Sequence, residues 1–459
     1  MDSEFRQLSF WQDSVPGSLV PRPALREDIV ADVAIVGAGY TGLWTAYYLK
    51  QIDPALNIVM LEAEIAGFGA SGRNGGWCSA YLSGIDYWLD DPASREGAVR
   101  LQRLLFDSVR EVGEVSRAES IDCHFEQSGA LEIAVIPSQL KQLREELDHL
   151  RSFGFDDNDY QWLKQSDLAE ILNVDQALAA IHMKHCAAIH PSRLARGLAA
   201  AVEKMGVSIY EQSPVRKIEG QEAVTPYGRV KAGSIVLATE GYSGSLNDRG
   251  RVLIPIHSMM VVTEPLSQQQ IEDIRLHKRY CFGNLDRLVT YAQLTADRRI
   301  AIGCRGTYHY GSGLRRFDAA DPEFDLVRKC LIRFFPALNN IGFTHAWGGA
   351  MGVSRTLRPA VCFDVNTRHG WAGGYFGNGV GATHLAGKTM ADLVTGQDTP
   401  RVHTPWVNPG DAGRKWEPEP LRWLGIKSRA KLMHLADWAE YRGSRFVPMI
   451  GKALDTLFP

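Results

Sequence analysis

The sequence predicts an α/β fold that begins with a Rossmann-type unit of strand, glycine turn, helix and second strand. An apolar run, Val33–Val36, leads directly into a glycine-rich turn and then into a helical pattern. The glycines of this turn are Gly37, Gly39 and Gly42. A second apolar run, Ile58–Leu61, ends at Glu62, twenty residues past the last of these glycines. This ordered combination is more specific than a lone GxGxxG, and it predicts a dinucleotide-binding βαβ unit.

Each residue of this pattern has a physical task at the predicted site. Gly37 permits the tight turn, Gly39 lets the backbone approach a pyrophosphate, and Gly42 lets the helix pack closely on the sheet. The amides at the start of the helix then face the phosphates. Glu62 stands where a carboxylate accepts hydrogen bonds from an adenosine ribose. The alternative is a chance turn.

Length and composition exclude several classes of protein. A chain of 459 residues exceeds the size of a single core, so two interleaved domains are expected. The net charge of −3, with no dense Lys/Arg run, argues against nucleic-acid binding. The N-terminal residues lack the pattern of a signal peptide, and no apolar run is long enough for a membrane span. The seven cysteines form no CxxC pair, which fits free thiols in a cytoplasmic protein better than disulfides or zinc.

Breaks in composition and periodicity predict the domain layout. Residues 1–30, with three prolines and little periodicity, are expected to form an N-terminal arm laid over the surface. The predicted nucleotide-binding domain is discontinuous, because a substrate domain interrupts it twice. The boundaries are 31–90, 180–250 and 345–396 for the nucleotide-binding domain, 91–179 and 251–344 for the substrate domain, and 397–459 for a C-terminal extension.

Periodic segments place further helices and strands. Leucines recur at helical spacing over 139–150, and a β-like piece, 130–135, precedes them. Another helix is predicted over 190–206, with Ser192 as its N-cap and Gly206 at its end.

A second glycine-rich stretch, Gly67–Trp77, follows the predicted ribose acid. Its five glycines free the backbone to wrap closely around a flat, polar ligand. Ser71, Arg73 and Asn74 supply donors for phosphate and ribityl oxygens. The alternative is a flexible surface loop, which the position of the stretch directly after Glu62 disfavours.

A third glycine-rich stretch, 370–394, predicts a strand, a glycine turn and a long helix that starts near Val380. The amides and the positive dipole end of such a helix stabilise negative charge. A reduced flavin carries negative charge over its N1–C2=O edge, so this turn is a natural place for an isoalloxazine ring. No ribose acid follows the string Gly377–Gly381 at the right distance, which argues against a second dinucleotide fingerprint.

These stretches, in this order, resemble the D-amino-acid oxidase superfamily. The resemblance depends on the opening fingerprint, 69–76, 236–242, 262–266 and the late glycine cluster. Within the superfamily, the string 71–76 is similar to that of the γ-glutamylputrescine oxidase group. The resemblance covers roughly residues 10–395. It implies a Rossmann-type FAD-binding domain interleaved with a substrate domain of α+β character, whose large, mostly antiparallel sheet covers the flavin.

The resemblance assigns cofactor-binding residues by position. The predicted FAD contacts are Gly37, Gly39, Gly42, Glu62, Ser71, Arg73, Asn74, Gly75, Val215, Gly377, Gly379 and Val380. The backbone of Val215 is expected to meet the adenine, and Gly379 and Val380 match the turn at the flavin pyrimidine edge. Some relatives attach FAD covalently through a His or a Cys. Neither glycine loop offers such a nucleophile, although Cys78 is close by, so noncovalent FAD is expected.

The predicted catalytic and substrate contacts are Arg358, His257 and Tyr291. Arg358 stands before a proline, where amino-acid oxidases and glycine oxidase place an arginine that grips the substrate carboxylate. The alternative for Arg358, and for Arg355, is a surface charge or a salt bridge within the FAD domain. His257 and Tyr291 lie in stretches that the resemblance places at the active site, with a packing role as the alternative for each.

Three other histidines are expected to be structural or unassigned. His384 falls one turn into the last predicted helix of the FAD domain, which favours a structural role. His182 and His185 lack partnering ligands, so no metal site is expected.

The resemblance implies FAD-dependent oxidation of a C–N bond in a small primary or secondary amine. The neutral amine gives a hydride to flavin N5, the imine hydrolyses, and O2 reoxidises the flavin with release of H2O2. A pocket near Arg358 would select a substrate with an anionic group. The candidate substrates are a γ-glutamylated amine, an amino acid or an aminophosphonate.

Two other functions remain open at this point. One is an amine dehydrogenase that passes electrons to a quinone or a carrier protein. In that case Trp423, Trp438 and the cluster 427–431 would face a partner or a membrane surface. The other is a non-catalytic FAD subunit of a hetero-oligomer.

Overall fold

The computed structural model of this chain describes residues 2–246, 250–287, 289–444, 447, 449–451 and 454. In chain order the strands are β1 (Ile29–Val36), β2 (Ile58–Leu61), β3 (Trp77–Ser79), β4 (Ala130–Ala134), β5 (Tyr160–Lys164), β6 (Ala179–Met183), β7 (Cys186–Ala188), β8 (Ser208–Tyr210), β9 (Lys217–Glu219), β10 (Glu222–Val224), β11 (Arg229–Leu237), β12 (Leu253–Thr263), β13 (Cys281–Asn284), β14 (Thr290–Leu294), β15 (Ile300–Arg305), β16 (Phe343–Ser354), β17 (Ala360–Asp364) and β18 (His369–Gly373).

The helices, also in chain order, are α1 (Asp2–Arg6), α2 (Phe10–Asp13), α3 (Tyr40–Ile52), α4 (Asp86–Asp90), α5 (Arg95–Ala118), α6 (Pro137–Ser152), α7 (Gln165–Ala169), α8 (Pro191–Lys204), α9 (Gln268–Ile274), α10 (Glu323–Phe334), α11 (Gly379–Thr395) and α12 (Leu421–Tyr441). None of the described helices combines the length and the hydropathy that a bilayer crossing requires. The chain divides into two units. The first contains the residues up to Phe125, Ile189–Ile256 and Gly349–Trp416, and the second contains Glu126–Ala188, His257–Gly348 and the described residues from Glu417 onward.

The first unit is built on a mainly parallel sheet with the strand order β17-β18-β11-β1-β2-β8. Strand β1 pairs in parallel with β2 on one side and with β11 on the other, and β18 continues the parallel arrangement beside β11. Strand β17 is antiparallel to β18, and β9 and β10 form an antiparallel ribbon beside β11. A parallel sheet of this kind confirms the predicted Rossmann-type fold.

Helices α3 and α11 cross closely in this unit. A methyl group at Gly387 of α11 would lie 2.5 Å from the Cβ of Trp44 and 2.7 Å from the amide nitrogen of Thr45, both on α3. Only a residue without a side chain fits at such a crossing. The glycine in the late stretch therefore sets the distance between the two helices that start at the predicted cofactor site.

The N-terminal segment, expected to lie over the surface as an arm, buries several large apolar side chains in the first unit, while other residues such as Val20 and Val30 are exposed. Phe10 and Trp11 are 5% and 1% exposed, and Leu19 and Leu25 are fully buried. The prolines correctly indicate an irregular chain path. The large apolar side chains of this irregular segment attach it to the unit, because they are covered while the residues between them face solvent.

The second unit is built on a mostly antiparallel sheet with the strand order β16-β12-β15-β14-β13-β4-β6-β5, as the resemblance implies. Within this sheet β13 and β4 pair in parallel. Alternate residues of its strands enter one core with helices α9 and α10. From β12, β14 and β15 these residues are Met259, Val261, Ala292, Leu294, Ile300, Ile302 and Cys304. The residues between them therefore lie on the opposite face of the sheet.

Two local features differ from the sequence-based expectations. Helix α5, which lies in the range 91–179 assigned to the substrate domain, belongs to the first unit and packs with α11 and β3. An amphipathic pattern predicts that a helix has a buried face, but not which sheet it covers. At α8 the N-cap is His190 rather than Ser192, since the His190 imidazole accepts the Arg193 amide at 3.3 Å.

The predicted C-terminal extension also divides between the units. Residues up to Trp416 belong to the first unit, whereas α12 belongs to the second. In the second unit the Tyr441 hydroxyl at the end of α12 donates to Asp286 at 2.7 Å. Arg287 pairs with Asp437 of the same helix at 2.9 Å. Helix α12 is thus held to the segment between β13 and β14.

Candidate cofactor and substrate site

The start of α3 forms the first part of the candidate site. Gly37 has φ +104°, a conformation that favours glycine, and a methyl group there would lie 2.6 Å from the carbonyl oxygen of Ala238. A methyl group at Gly42 would overlap the carbonyl oxygen of Gly37. Gly39 is the N-cap of α3 and has no side chain to cover the first-turn amides. The N-cap residue itself therefore places no side chain between the start of the helix and an approaching diphosphate.

Glu62 lies at the end of β2, beside this turn. One carboxylate oxygen accepts the Ala38 amide at 2.8 Å, and the other accepts the Glu64 amide at 3.0 Å. Burial raises the pKa of Glu62 to about 7, against the two backbone hydrogen bonds, which lower it. Glu62 therefore fixes the backbone of the glycine turn at Ala38. Its contact with an adenosine ribose stays a prediction.

The side chains of the second glycine loop shape that loop. The Ser71 hydroxyl accepts the Tyr40 amide at 2.9 Å, so it caps the first turn of α3. The Asn74 side-chain oxygen accepts the Gly76 amide at 2.7 Å. Arg73 is 8% exposed, and its Nε donates to the Phe68 carbonyl at 2.9 Å. These contacts fix the loop next to α3. Gly75 lies between Asn74 and Gly76, which are joined by one of these hydrogen bonds.

The late glycine turn leads into α11, which starts at Gly379, one residue before the predicted start near Val380. Gly377 has φ +93°. The side chain of the N-cap, Asn378, makes no capping hydrogen bond within the described part of the chain and donates instead to the Ser83 hydroxyl at 3.1 Å. Val380 is 6% exposed. The amides of the first turn of α11 are thus free of side-chain caps and can stabilise a negative charge.

A buried carboxylate that the sequence analysis missed supports this turn. Glu240 follows β11 and accepts the Gly374 and Tyr375 amides, each at 3.2 Å. A methyl group at Gly352 would overlap the same carboxylate, so glycine is required there. Burial raises the pKa of Glu240 to about 7. The available signal was an acidic residue directly after an apolar strand that ends at small residues, the same pattern that identified Glu62.

The residues of the first unit fit FAD. Helices α3 and α11, of 13 and 17 residues, both begin at glycine turns whose backbone a methyl group would clash with or strain. One start suits a diphosphate, and the other suits the electron-rich edge of a flavin. Val215, the predicted adenine neighbour, is 7% exposed and belongs to the core beside β1 and β2. Cys78, which follows the second glycine loop in sequence, is fully buried.

Arg358 lies in the first unit, where its side chain is already engaged. Its guanidinium pairs with Asp411 at 2.5 Å and lies 3.7 Å above the ring of Tyr87. A methyl group at Gly84 would lie 2.6 Å from its Cγ, so the alkyl stem is packed as well. This geometry favours the salt-bridge alternative over a substrate contact. Arg355 is likewise placed within the first unit, 5.4 Å from the ring of Trp416.

The structure places Tyr291 with Ser258 on the face of the second sheet that turns away from the helix-covered core. Their hydroxyl groups form a hydrogen bond, and the Ser258 hydroxyl also donates to the Cys304 carbonyl at 3.2 Å. A methyl group at Gly303 would lie 2.7 Å from the Tyr291 hydroxyl, so the tyrosine ring crosses this glycine. Ser258 is a candidate that the sequence analysis did not name.

His257 is not brought to Tyr291. It precedes Ser258 on β12, and its side chain lies with the rings of His309 at 5.0 Å and Phe317 at 5.4 Å. Its Nε2 accepts the Arg315 amide at 3.2 Å, and the residue is 2% exposed. These contacts favour the packing alternative for His257.

The remaining histidines have local partners. His384 is fully buried, and its Nε2 shares a hydrogen bond with the Tyr48 hydroxyl at 2.6 Å. His182 bonds to the Ser128 carbonyl, and His185 to Asp159. Among the described residues, no three His, Cys, Asp or Glu side chains are grouped to hold a metal ion.

Comparisons with known proteins identify the family of this chain. The family model described as "FAD dependent oxidoreductase" and abbreviated DAO matches residues 32–393. The γ-glutamylputrescine oxidoreductase of Escherichia coli (strain K12) is 30% identical over 382 residues, which are 82% of this chain and 86% of that protein. Sarcosine oxidase subunit beta of an Arthrobacter species is 22% identical over 400 residues, which are 82% of this chain and 89% of that protein.

The fold is similar to that of solved flavoenzymes. Glycine oxidase from Bacillus cereus superposes with a TM-score of 0.66 at 18% sequence identity, over 81% of this chain and 97% of that one. The chain therefore belongs to the DAO family of FAD-dependent oxidoreductases, as its glycine motifs predict, and FAD is its cofactor.

Proposed function

We propose that this protein oxidises the C–N bond of a small amine that carries an anionic group, with O2 as the electron acceptor. One observation carries the proposal. Helices α3 and α11 both start at glycine turns suited to FAD, in a chain whose residues 32–393 match the DAO family model. The named relatives act on γ-glutamylputrescine and sarcosine. Both compounds combine an amine with a carboxylate, which supports the anionic group.

The reaction balances in electrons and atoms. The amine loses two electrons and two protons to become an imine, and water converts the imine into a carbonyl compound and the released amine or ammonia. O2 takes up the two electrons and two protons as H2O2. FAD, when bound, supplies the two-electron acceptor between the amine and O2.

In this proposal the chain's own residues bind and orient the two reactants. The cofactor is held by the residues predicted from the sequence, Gly37, Gly39, Gly42, Glu62, Ser71, Arg73, Asn74, Gly75, Val215, Gly377, Gly379 and Val380. On the substrate side, Ser258 donates its proton to the Cys304 carbonyl and Tyr291 donates to Ser258, so the free lone pairs of the two hydroxyl oxygens can accept the N–H groups of an amine. Neither hydroxyl has to remove the C–H proton, because positioning is the main task of the protein in flavin chemistry.

This proposal assigns no cationic side chain of the protein to bind the anionic group of the substrate. Arg358 is the contact predicted from the sequence, but its ion pair with Asp411 and its stacking on Tyr87 support the salt-bridge alternative. The preference for an anionic substrate is therefore tested directly, without reference to one residue.

The decisive experiment is an anaerobic screen of amines for loss of the oxidised flavin spectrum. The panel pairs each anionic amine with a neutral analogue: γ-glutamylputrescine with N-acetylputrescine, sarcosine with N-methylethylamine, and an aminophosphonate with its ester. We expect bleaching by at least one anionic member at least tenfold faster than by its analogue. Equal rates within a pair would contradict the anionic group, and no bleaching by any amine would favour the non-catalytic subunit.

Oxygen uptake by the substrate-loaded enzyme separates oxidase from dehydrogenase. We expect O2 consumption with stoichiometric H2O2. Negligible O2 uptake beside fast reduction of an artificial dye would instead favour a dehydrogenase that delivers electrons to a quinone or a carrier protein.

We also propose that the outer face of α12 contacts an anionic membrane surface. Leu421, Leu424, Leu435 and Trp438 are between 46% and 62% exposed. Their spacings of three and eleven residues place them on one side of the helix. A cluster of exposed leucines and a tryptophan is unusual on a solvated helix and typical of an interfacial one.

The charges of α12 support this choice of partner. Asp437 and Glu440 pair with Arg287 at 2.9 Å and 2.5 Å, so the acidic side chains are turned to the protein. Lys431 and Arg442 are exposed. The exposed face therefore combines apolar side chains with positive charge, although the chain as a whole has a net charge of −3.

Vesicle sedimentation tests this contact. We expect binding to phosphatidylglycerol vesicles, little binding to phosphatidylcholine vesicles, and loss of binding in a variant with Leu435→Ser and Trp438→Ser. Leu326→Ser is the matched control, since Leu326 of α10 is 47% exposed. Binding that survives in the double variant would contradict the proposal. A dimer that dissociates in the double variant would assign the face to a second copy of the chain instead. The expected cytoplasmic location stays a prediction.

A further inference from the structure

Three neighbouring side chains of the N-terminal segment reach the second glycine loop. The Ser9 hydroxyl donates to the Gly72 carbonyl at 2.9 Å. The Trp11 indole Nε1 donates to the Asn74 carbonyl at 2.8 Å. The Gln12 side-chain amide donates to the Gly67 carbonyl at 3.1 Å. Three carbonyls spread over the loop are thus held by residues that lie more than fifty positions earlier in the chain. We call Ser9, Trp11 and Gln12 the N-terminal clamp.

The clamp residues are themselves rigidly placed. Their exposed fractions are 2% for Ser9, 1% for Trp11 and 0% for Gln12. Ser9 is the N-cap of α2, where its hydroxyl also accepts the Gln12 amide at 3.1 Å. The Trp11 ring packs edge-on against Phe10 and His190, with ring centroids 5.0 Å and 5.1 Å away. The donors therefore have fixed directions before any ligand binds.

The loop needs such support because of its composition. Gly67 and Gly76 have φ angles of +79° and +74°, and a free glycine-rich loop would populate many other conformations. A methyl group at Gly72 would overlap the Gln12 side-chain nitrogen, so the clamp and the glycine are fitted to each other. Fixing the Asn74 carbonyl also fixes the direction of the Gly75 N–H, because the two lie on opposite sides of one planar trans peptide.

We propose that Ser9, Trp11 and Gln12 are positioning residues for FAD, which hold the loop 67–76 in its binding conformation. The proposal depends on FAD binding by this loop but not on the identity of the amine. The clamp lies before residue 32, where the match to the family model begins, so it is separate from the glycine motifs that this match contains. Its expected effect is on cofactor affinity and release rate.

Titration of the apoprotein with FAD tests the proposal. Trp11→Phe removes one indole donor and leaves most of the packing, and Gln12→Leu removes the amide donor at similar volume. Each lost hydrogen bond should raise the Kd of FAD by about threefold to tenfold and speed FAD release similarly. Trp406→Phe is the matched control. Trp406 is fully buried, its indole nitrogen has no hydrogen-bond partner among the described residues, and its substitution should leave the Kd unchanged.

Thermal unfolding of apoprotein and FAD-loaded protein separates positioning from simple stabilisation. A positioning role lowers the gain in melting temperature that FAD provides, because that gain depends on Kd. A purely structural role lowers both melting temperatures equally and leaves the Kd unchanged, and that result would overturn the proposal. Ser9→Ala provides the same comparison if Trp11→Phe does not fold. Because no substrate is used, the outcome is independent of the amine screen.

Discussion

Replacement of Arg358 by alanine should reduce stability without a selective effect on anionic substrates. The guanidinium pairs with Asp411, which is 43% exposed, so the ion pair contributes about 0–1 kcal/mol. Stacking on Tyr87 at 3.7 Å contributes about 0.5–1 kcal/mol. The packed alkyl stem beside Gly84 adds about 1 kcal/mol. Together, Arg358→Ala should lower the free energy of unfolding by about 1.5–3 kcal/mol.

Urea unfolding and steady-state kinetics measure the two sides of this prediction. Asp411→Asn is the matched control, since it removes only the ion pair and should cost at most about 1 kcal/mol. The KM values for an anionic amine and its neutral analogue should change by the same factor in Arg358→Ala. If unfolding is unchanged while KM for the anionic amine alone rises tenfold or more, the reasoning fails. Arg358 would then be the substrate contact that the sequence suggested.

Three further predictions concern the cofactor turns and the substrate face. Gly42→Ala should yield protein without bound flavin, because the new methyl group overlaps the Gly37 carbonyl oxygen, and stoichiometric flavin absorbance in the purified variant would contradict this. Burial raises the pKa values of Glu62 and Glu240 to about 7 from an ordinary 4.5, so the folded state holds these protons more tightly than the unfolded chain does. The stabilisation is complete below about pH 4.5 and is lost as the pH rises through about 7, by about 1–3 kcal/mol per carboxyl. Urea unfolding of the apoprotein should show this fall, Glu240→Gln should reduce it, and an unchanged pH slope in the variant would contradict the assignment. Tyr291→Phe should lower kcat/KM for the best amine about tenfold while the Kd of FAD stays constant, because one hydrogen bond to the substrate is lost.

The parts of the fold that depend on neighbouring residues could be predicted from the sequence. Strand β2 has the bounds expected for the run Ile58–Leu61, and α11 starts at Gly379, one residue before the expected position. Both depend on local patterns of apolar residues and glycines. The predicted N-cap of α8 was wrong even though it depends on a local pattern. Pro191 suits the first position of a helix, which makes His190 the N-cap rather than Ser192.

The parts that depend on distant partners could not be predicted in this way. The contacts of the Arg358 guanidinium are with Asp411, 53 residues later, and with Tyr87. The residues next to Arg358 in sequence predict neither contact. His257 and Ser258 are neighbours in sequence, yet alternation along β12 turns them to opposite faces of the sheet. A one-residue shift thus decides which of the two can stand beside Tyr291.

The strand order of the first sheet has a consequence for the synthesis of the protein. Ile29 of β1 pairs with Val230 of β11, and Ile235 of β11 pairs with His369 of β18. During synthesis β1 therefore lacks its partner β11 for about two hundred residues. Strand β11 in turn lacks its partner β18 until that strand has been made. Unpaired parallel edges of this kind fold slowly and attract other chains. With the FAD contacts proposed for α11, cofactor loading waits until this helix has emerged from the ribosome, so slower translation and ample riboflavin supply should raise the yield of yellow, soluble protein.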